Sequence, residues 1–134
     1  MDKKEILKLC GKNAFRKQIE ESGGVYSTKE VSELLGISPS AVRMRLMRGQ
    51  LLAIPFGGTT VFPVWQFDEN GVIEHFLEIK ATLSTSSPVG VVQFFLTYDE
   101  DLGHTPIEAL KSGNPSQLEL VKILAKQFNK QVAR

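Results

Sequence analysis

The spacing of apolar residues changes twice between residues 25 and 67, and the elements follow from those changes. Val31, Leu34 and Leu35 fall on one face of a short helix. Ser27 precedes it as an N-cap, and Glu30 stands three residues on, so Ser27-Thr28-Lys29-Glu30 reads as a capping box. Gly36 can take the left-handed conformation that stops this helix, and Ile37 fills the turn. Ser38 then caps a second helix, with Pro39 at the first position, where no backbone N–H is needed. That helix runs to about Arg48 and stops at Gly49, with Val42 and Leu46 on its inner side. Beyond Gly49 the segments Leu51–Phe56 and Thr60–Val64 are strand-like, and Gly57-Gly58 between them is a hairpin turn signal. Pro55 and Pro63 mark edge or terminal strand positions. Two short helices joined by a Gly-containing turn, followed by a hairpin, predict a helix-turn-helix with a small β-wing.

Upstream, Ile6, Leu7, Cys10, Ala14 and Ile19 form the stripe of a charged amphipathic helix over residues 3–22, ended by Ser22-Gly23-Gly24. Downstream, Asp68-Glu69-Asn70-Gly71 reads as a turn. Val72, Ile73, Phe76, Leu77 and Leu83 then give a connector helix that carries His75. The polar run Ser84-Thr85-Ser86-Ser87 is the expected domain boundary. Three helix starts follow, at Ser87-Pro88, at Thr105-Pro106 with Glu108 completing a capping box, and at Asn114-Pro115. Val89, Val92, Phe95 and Leu96 stripe the first, Gly113 ends the second after Leu110, and Leu118, Val121, Leu124, Ala125 and Phe128 stripe the last. The expected fold class is mainly α with a small β-hairpin. Its expected parts are an N-terminal helix (1–24), a winged helix-turn-helix DNA-binding domain with connector helix (25–83), and a helical partner-binding or dimerisation domain (84–134).

The chain has 134 residues, 42% of them hydrophobic, enough for a packed core. A net charge of +1 says little, but its distribution is uneven. Residues 1–67 hold 10 Lys and Arg against 6 Asp and Glu, a net of +4, and residues 68–134 hold 6 against 9, a net of −3. A basic front suits nucleic acid and an acidic rear suits another partner. Cys10 is the single cysteine, so an internal disulfide is excluded. No apolar run approaches the ~18 residues of a membrane helix, and the charged start lacks a signal-peptide core. These features predict a cytoplasmic protein with no membrane contact.

The second helix carries the candidate chemistry. At about 100° per residue, Ser40, Met44 and Met47 fall on or near the side opposite Val42 and Leu46. Arg43 and Arg45 flank the buried stripe and Arg48 lies at the far end, with no Asp or Glu between Gly36 and Trp65. Adaptable side chains toward base edges and guanidinium groups for phosphate or guanine are what a helix in the major groove needs. The DNA-binding set is therefore Ser38, Ser40, Arg43, Met44, Arg45, Met47 and Arg48, with Thr59 and Thr60 at the wing tip against the backbone. The alternatives are a solvated amphipathic helix and a purely structural hairpin. No paired carboxylates, Cys-His pair, phosphate loop or metal spacing occurs, so no catalytic residue, cofactor or metal is expected. Asp99-Glu100-Asp101 lacks the alternating ligands of a calcium loop, and His75 and His104 each stand alone.

Two resemblances add to this reading. Lys29-Glu30-Val31, Leu34-Leu35-Gly36-Ile37-Ser38, Val42-Arg43 and Arg48-Gly49-Gln50-Leu51 resemble the excisionase and MerR-like helix-turn-helix proteins, which implies binding to double-stranded DNA. Phe94-Phe95-Leu96, Leu102-Gly103, Thr105-Pro106-Ile107-Glu108-Ala109-Leu110 and Gly113 resemble the toxin-binding domain of the Xre/MbcA/ParS antitoxins, and Phe62–Phe67 with Gly71 resemble the connector before it. His104 and Thr105 stand where that family usually has a second Gly and an Arg. The second resemblance implies an autorepressor that holds a RES-type, NAD-consuming toxin. Asp99, Glu100, Asp101 and His104 on the acidic loop and Arg134 at the basic chain end are the candidate partner-binding residues, with a solvated loop and a frayed helix end as the alternatives. A homodimer formed mainly by the rear half is expected with it. An excisionase-like factor that bends DNA, a stand-alone regulator and a protein-interaction adaptor remain the alternatives.

Overall fold

The computed structural model describes residues 13–56, 59–83, 85 and 87–132. Cys10, the rest of the stripe before Asn13, the Gly57-Gly58 turn and Arg134 lie outside them. The chain is mainly helical with two small antiparallel sheets. It divides into two compact units, Met1–Gly71 and Val72–Arg134.

In the first unit α1 (Asn13–Glu21) buries Ile19 and ends where Gly23 and Gly24 take positive φ, with the Gly24 N–H donating to Ile19 C=O at 2.9 Å. The strand β1 (Val25–Ser27) follows, then α2 (Thr28–Leu35) and α3 (Pro39–Met47). The strands β2 (Ile54–Phe56) and β3 (Thr59–Pro63) complete a three-stranded antiparallel sheet in the order β1-β3-β2. Tyr26 pairs with Phe62, and Pro55 with Thr60. The expected two-stranded hairpin is thus a three-stranded sheet. Three residues are too few for alternation to register, and the partner of β1 lies far along the chain. Pro55 sits on an edge strand, where its missing N–H breaks no ladder. Leu51–Ala53, expected as part of β2, are not strand at all, yet Leu51 and Leu52 are buried, as are Val31, Val42, Phe62 and Trp65 of this unit. A short 3-10 turn, Val64–Gln66, leads to the ribbon β4 (Phe67–Asp68) and β5 (Gly71–Val72). The turn between them is the Asp68–Gly71 segment, where the Asp68 carboxylate accepts from the Asn70 N–H at 2.8 Å.

The second unit holds α4 (Phe76–Thr82), α5 (Pro88–Leu96), α6 (Pro106–Ser112) and α7 (Pro115–Val132). Its core is aromatic. The Phe76 and Phe95 ring centroids lie 4.7 Å apart, Phe94 meets Phe95 edge-on at 5.2 Å, and Phe128 meets Phe94 at 5.5 Å. The unit boundary falls after Gly71 and not at Ser84–Ser87. The physical reason is that Phe76 and Ile79 of α4 are fully buried and the Phe76 ring packs, tilted, on Phe95 of α5. The connector helix also starts later than its apolar spacing predicts. His75 stands before it in the left-handed region, φ 70°, and Val72 is strand.

The three caps read from the sequence in this unit differ in detail. Asn114 Oδ1 accepts from the Ser116 N–H at 2.9 Å, while Ser87 makes no side-chain cap bond. Thr105 Oγ1 accepts from the Glu108 N–H at 3.3 Å, and Glu108 Oε1 accepts in return from the Thr105 N–H at 2.9 Å. The backbone and hydroxyl bonds from Thr105 hold the Glu108 carboxyl below its ordinary range. Because the folded-state pKa is the lower one, this stabilisation is present above the unfolded value of about 4.3 and is lost as pH falls through the folded value. Thr105→Val should cost about 1 kcal/mol at neutral pH, as losing a Thr cap does. Urea melts should show that gap narrowing below pH 4.

Candidate nucleic-acid interface

The pair α2 and α3 is built from local signals on both sides of a three-residue turn. Ser27 Oγ accepts from the Glu30 N–H at 3.1 Å, and Glu30 Oε1 accepts from the Ser27 N–H at 2.9 Å, so both ends of the capping box are made. Gly36 takes φ 66°, which lets the Ile37 N–H reach back to the Ser32 C=O at 3.1 Å. The Ser32 hydroxyl in turn donates to the Ile37 C=O. Ser38 Oγ accepts from the Ala41 N–H at 3.1 Å and starts α3. At its other end Gly49, φ 75°, allows the Gln50 N–H to donate to Arg45 C=O at 2.9 Å. Each end of α3 is therefore fixed by its own hydrogen bonds before any packing is counted.

Packing sets which way α3 faces. Val42 is fully buried and Leu46 half-buried. Ser40, Arg43, Met44, Arg45, Met47 and Arg48 are all exposed. Met47 is 86% exposed and Met44 50%, and they are two of the five large apolar side chains exposed among the described residues. The structure thus brings seven of the predicted residues onto one short helix and its cap. Ser38 differs from the rest because its hydroxyl oxygen is engaged in the cap. Thr59 and Thr60 are exposed on β3, opposite Phe56 and Pro55.

One residue that holds the chain just after this helix carries no motif in the sequence. After α3 the chain turns inward at Leu51 and Leu52 without joining a strand, which would bury the Leu52 peptide groups unpaired. Gln66, with no exposed surface, supplies what a neighbouring strand would. Its Oε1 accepts from the Leu52 N–H at 2.9 Å, and its Nε2 donates to the Leu52 C=O at 2.8 Å and the Pro63 C=O at 3.1 Å. Its mark in the sequence is its place as the lone polar side chain in the apolar run Val61–Phe67.

In the second unit the predicted partner-binding residues divide. Asp99 is half-buried, and its carboxylate accepts from the Asp101 and Leu102 N–H groups at 2.9 and 3.1 Å. It shapes its own turn, which the Asp99 N–H closes onto the His104 C=O at 3.0 Å. Glu100, Asp101 and His104 are exposed on that turn. Elsewhere on the unit Lys122 bridges Glu78 and Glu119 at 3.4 and 3.5 Å, and the His75 ring lies 3.1 Å from Glu78. The His75 bond, then Lys122, holds the Glu78 carboxyl below its usual range.

No protein-family model matches this chain, and no curated protein matches it. Among solved structures, the NMR structure of Rv2175c is similar, with a TM-score of 0.54 and 21% identity over 80% of each chain. At that identity the likeness is one of fold. Among the described residues no helix is long and apolar enough to cross a membrane.

Proposed function

We propose that the protein is a non-enzymatic, DNA-binding transcriptional regulator whose first unit is a winged helix-turn-helix, with α3 as the recognition helix and β2–β3 as the wing. The observation that carries this reading is the outward face of α3. Arg43, Arg45 and Arg48 stand exposed around Ser40, Met44 and Met47, and no acidic residue occurs from Gly36 to Phe67. Such a face offers charge to phosphates and side chains to base edges at once. The wing adds the exposed hydroxyls of Thr59 and Thr60 and no Lys or Arg from β2 or β3, so its share of the affinity is small.

The test is binding of the full chain to specific and random duplexes at low salt. Arg43→Ala or Arg45→Ala should weaken binding by about 1–3 kcal/mol for an arginine that reads a base. An arginine that meets phosphate alone should weaken all sequences alike and reduce the salt slope by about one. Wild-type protein with no affinity for either duplex at low salt would falsify the reading.

For the second unit we read a homodimerising, partner-binding domain of an antitoxin-like autorepressor, acting in the cytoplasm. Its support is the resemblance of Phe94–Gly113 to the Xre/MbcA/ParS antitoxins, the exposed turn bearing Glu100, Asp101 and His104, and the exposed Ile123 on α7. The test is co-expression with the product of the adjacent gene. A chain that neither binds nor protects against that product removes the antitoxin role and leaves the DNA-binding role standing. Light scattering at tens of micromolar should give twice the monomer mass, and a monomer there removes the dimer.

A further inference from the structure

Ser40, Met44 and Met47 lie at i, i+4 and i+7 on α3, so they form one straight stripe along its exposed side. Arg43 and Arg48 border that stripe on opposite sides. A single exposed methionine needs no explanation. Two on one stripe, between guanidinium groups and in a segment with no acidic residue from Gly36 to Phe67, form an apolar strip inside a cationic frame.

The major groove has the complementary form. Phosphates line its rims, and its one apolar base-edge feature is the C5-methyl of thymine. The thioether of methionine is flexible, reaches far and is only a weak acceptor. Its best contact in the groove is therefore apolar, and a cytosine at the same place offers no methyl for it to meet. Thymine is the base whose groove edge such a side chain satisfies. Resting on the reading of α3 as a DNA-recognition helix, we propose that Met44 and Met47 select duplex DNA by contact with thymine methyl groups, while the arginines supply the charge-dependent part. This site is a shape and methyl reader, and the base pairs beneath the stripe are A·T.

The experiment uses short duplexes selected from a random pool by the full-length chain, then resynthesised with deoxyuridine in place of thymidine. That exchange removes the methyls and keeps every Watson–Crick hydrogen bond and every phosphate. The wild type should bind the deoxyuridine duplex roughly fourfold more weakly for each contacted methyl, the ratio that about 0.8 kcal/mol per buried methyl-sized group gives. The Met44→Ala/Met47→Ala variant should bind the two duplexes equally. Both side chains are exposed, so its fold is expected to survive, and the fluorescence of the single buried Trp65 checks this. Equal wild-type affinity for the two selected duplexes overturns the methyl contact and leaves DNA binding intact. A failure to select any duplex overturns both. A double variant that changes the oligomeric mass but keeps the wild-type ratio between duplexes overturns the proposal in favour of a protein contact at the stripe.

Discussion

Replacing Gln66 with alanine should destabilise the first unit by about 3–5 kcal/mol, the largest loss expected from any polar residue in it. Three hydrogen bonds converge on this buried amide, two of them exchanged with the N–H and C=O of one residue, Leu52. Alanine leaves the Leu52 N–H and C=O and the Pro63 C=O without those partners, at about 1–3 kcal/mol each before relaxation. Met is close in length and should fail almost as badly, because the deficit is polar. Gln66→Glu separates the roles of the two amide atoms. A carboxylate keeps the acceptor for Leu52 N–H but loses both donated bonds, and its charge is buried. Its folded-state pKa is thereby raised, so the folded protein holds the proton longer than the unfolded chain does. Stability is then greatest below the unfolded value of about 4.3 and falls as pH rises through the window up to the raised folded value. Urea titrations followed by Trp65 fluorescence read all three variants. A Gln66→Ala midpoint within error of wild type would show that water replaces the amide without loss.

Phe95→Ala should cost the second unit about 3–5 kcal/mol, the range for removing a buried aromatic ring. Phe95 has no exposed surface and touches rings on two sides, Phe76 of α4 and its neighbour Phe94. Deleting it removes the ring against which Phe76 packs and leaves a cavity that the surrounding helices close only in part. Phe95→Leu should recover about half of the loss by refilling volume without the edge-to-face geometry. Tyr98, exposed three residues on, is the control, and its alanine variant should stay within about 0.5 kcal/mol of wild type. The measurement is loss of far-ultraviolet helix signal with denaturant. A Phe95→Ala midpoint no lower than that of Tyr98→Ala would show that the aromatic cluster is not the core of this unit.

Local chemistry explains what could be read in advance. The capping boxes at Ser27 and Thr105, the stop at Gly36, the Pro39 start and the Asn114 cap are each decided within four residues, and each is present. The exposed side of α3 follows from the same logic, since Val42 fixes the helix rotation and the period does the rest. What could not be read is decided by partners distant in sequence. The strand β1 exists because β3 returns beside it. Leu51–Ala53 have the composition of a strand but meet a side chain where a strand would be. His75 has no feature that marks a left-handed residue, so a helix placed on apolar spacing alone runs through it to Val72. The polar run Ser84–Ser87 reports composition alone, whereas the division of the chain after Gly71 follows which core Phe76 joins.

The division of labour on α3 has an evolutionary consequence. Val42 holds the helix in the core, while Ser40, Arg43, Met44, Met47 and Arg48 are exposed. Mutations on the outer face therefore escape the selection that guards folding, and surface changes of this kind alter stability by about half a kcal/mol or less. A lineage can exchange those five side chains in any order, Gly and Pro apart, and pass through stable proteins at every step. Whatever the helix touches can be changed by drift on one surface, without compensating changes beneath it, and a laboratory library confined to these positions should be almost wholly foldable.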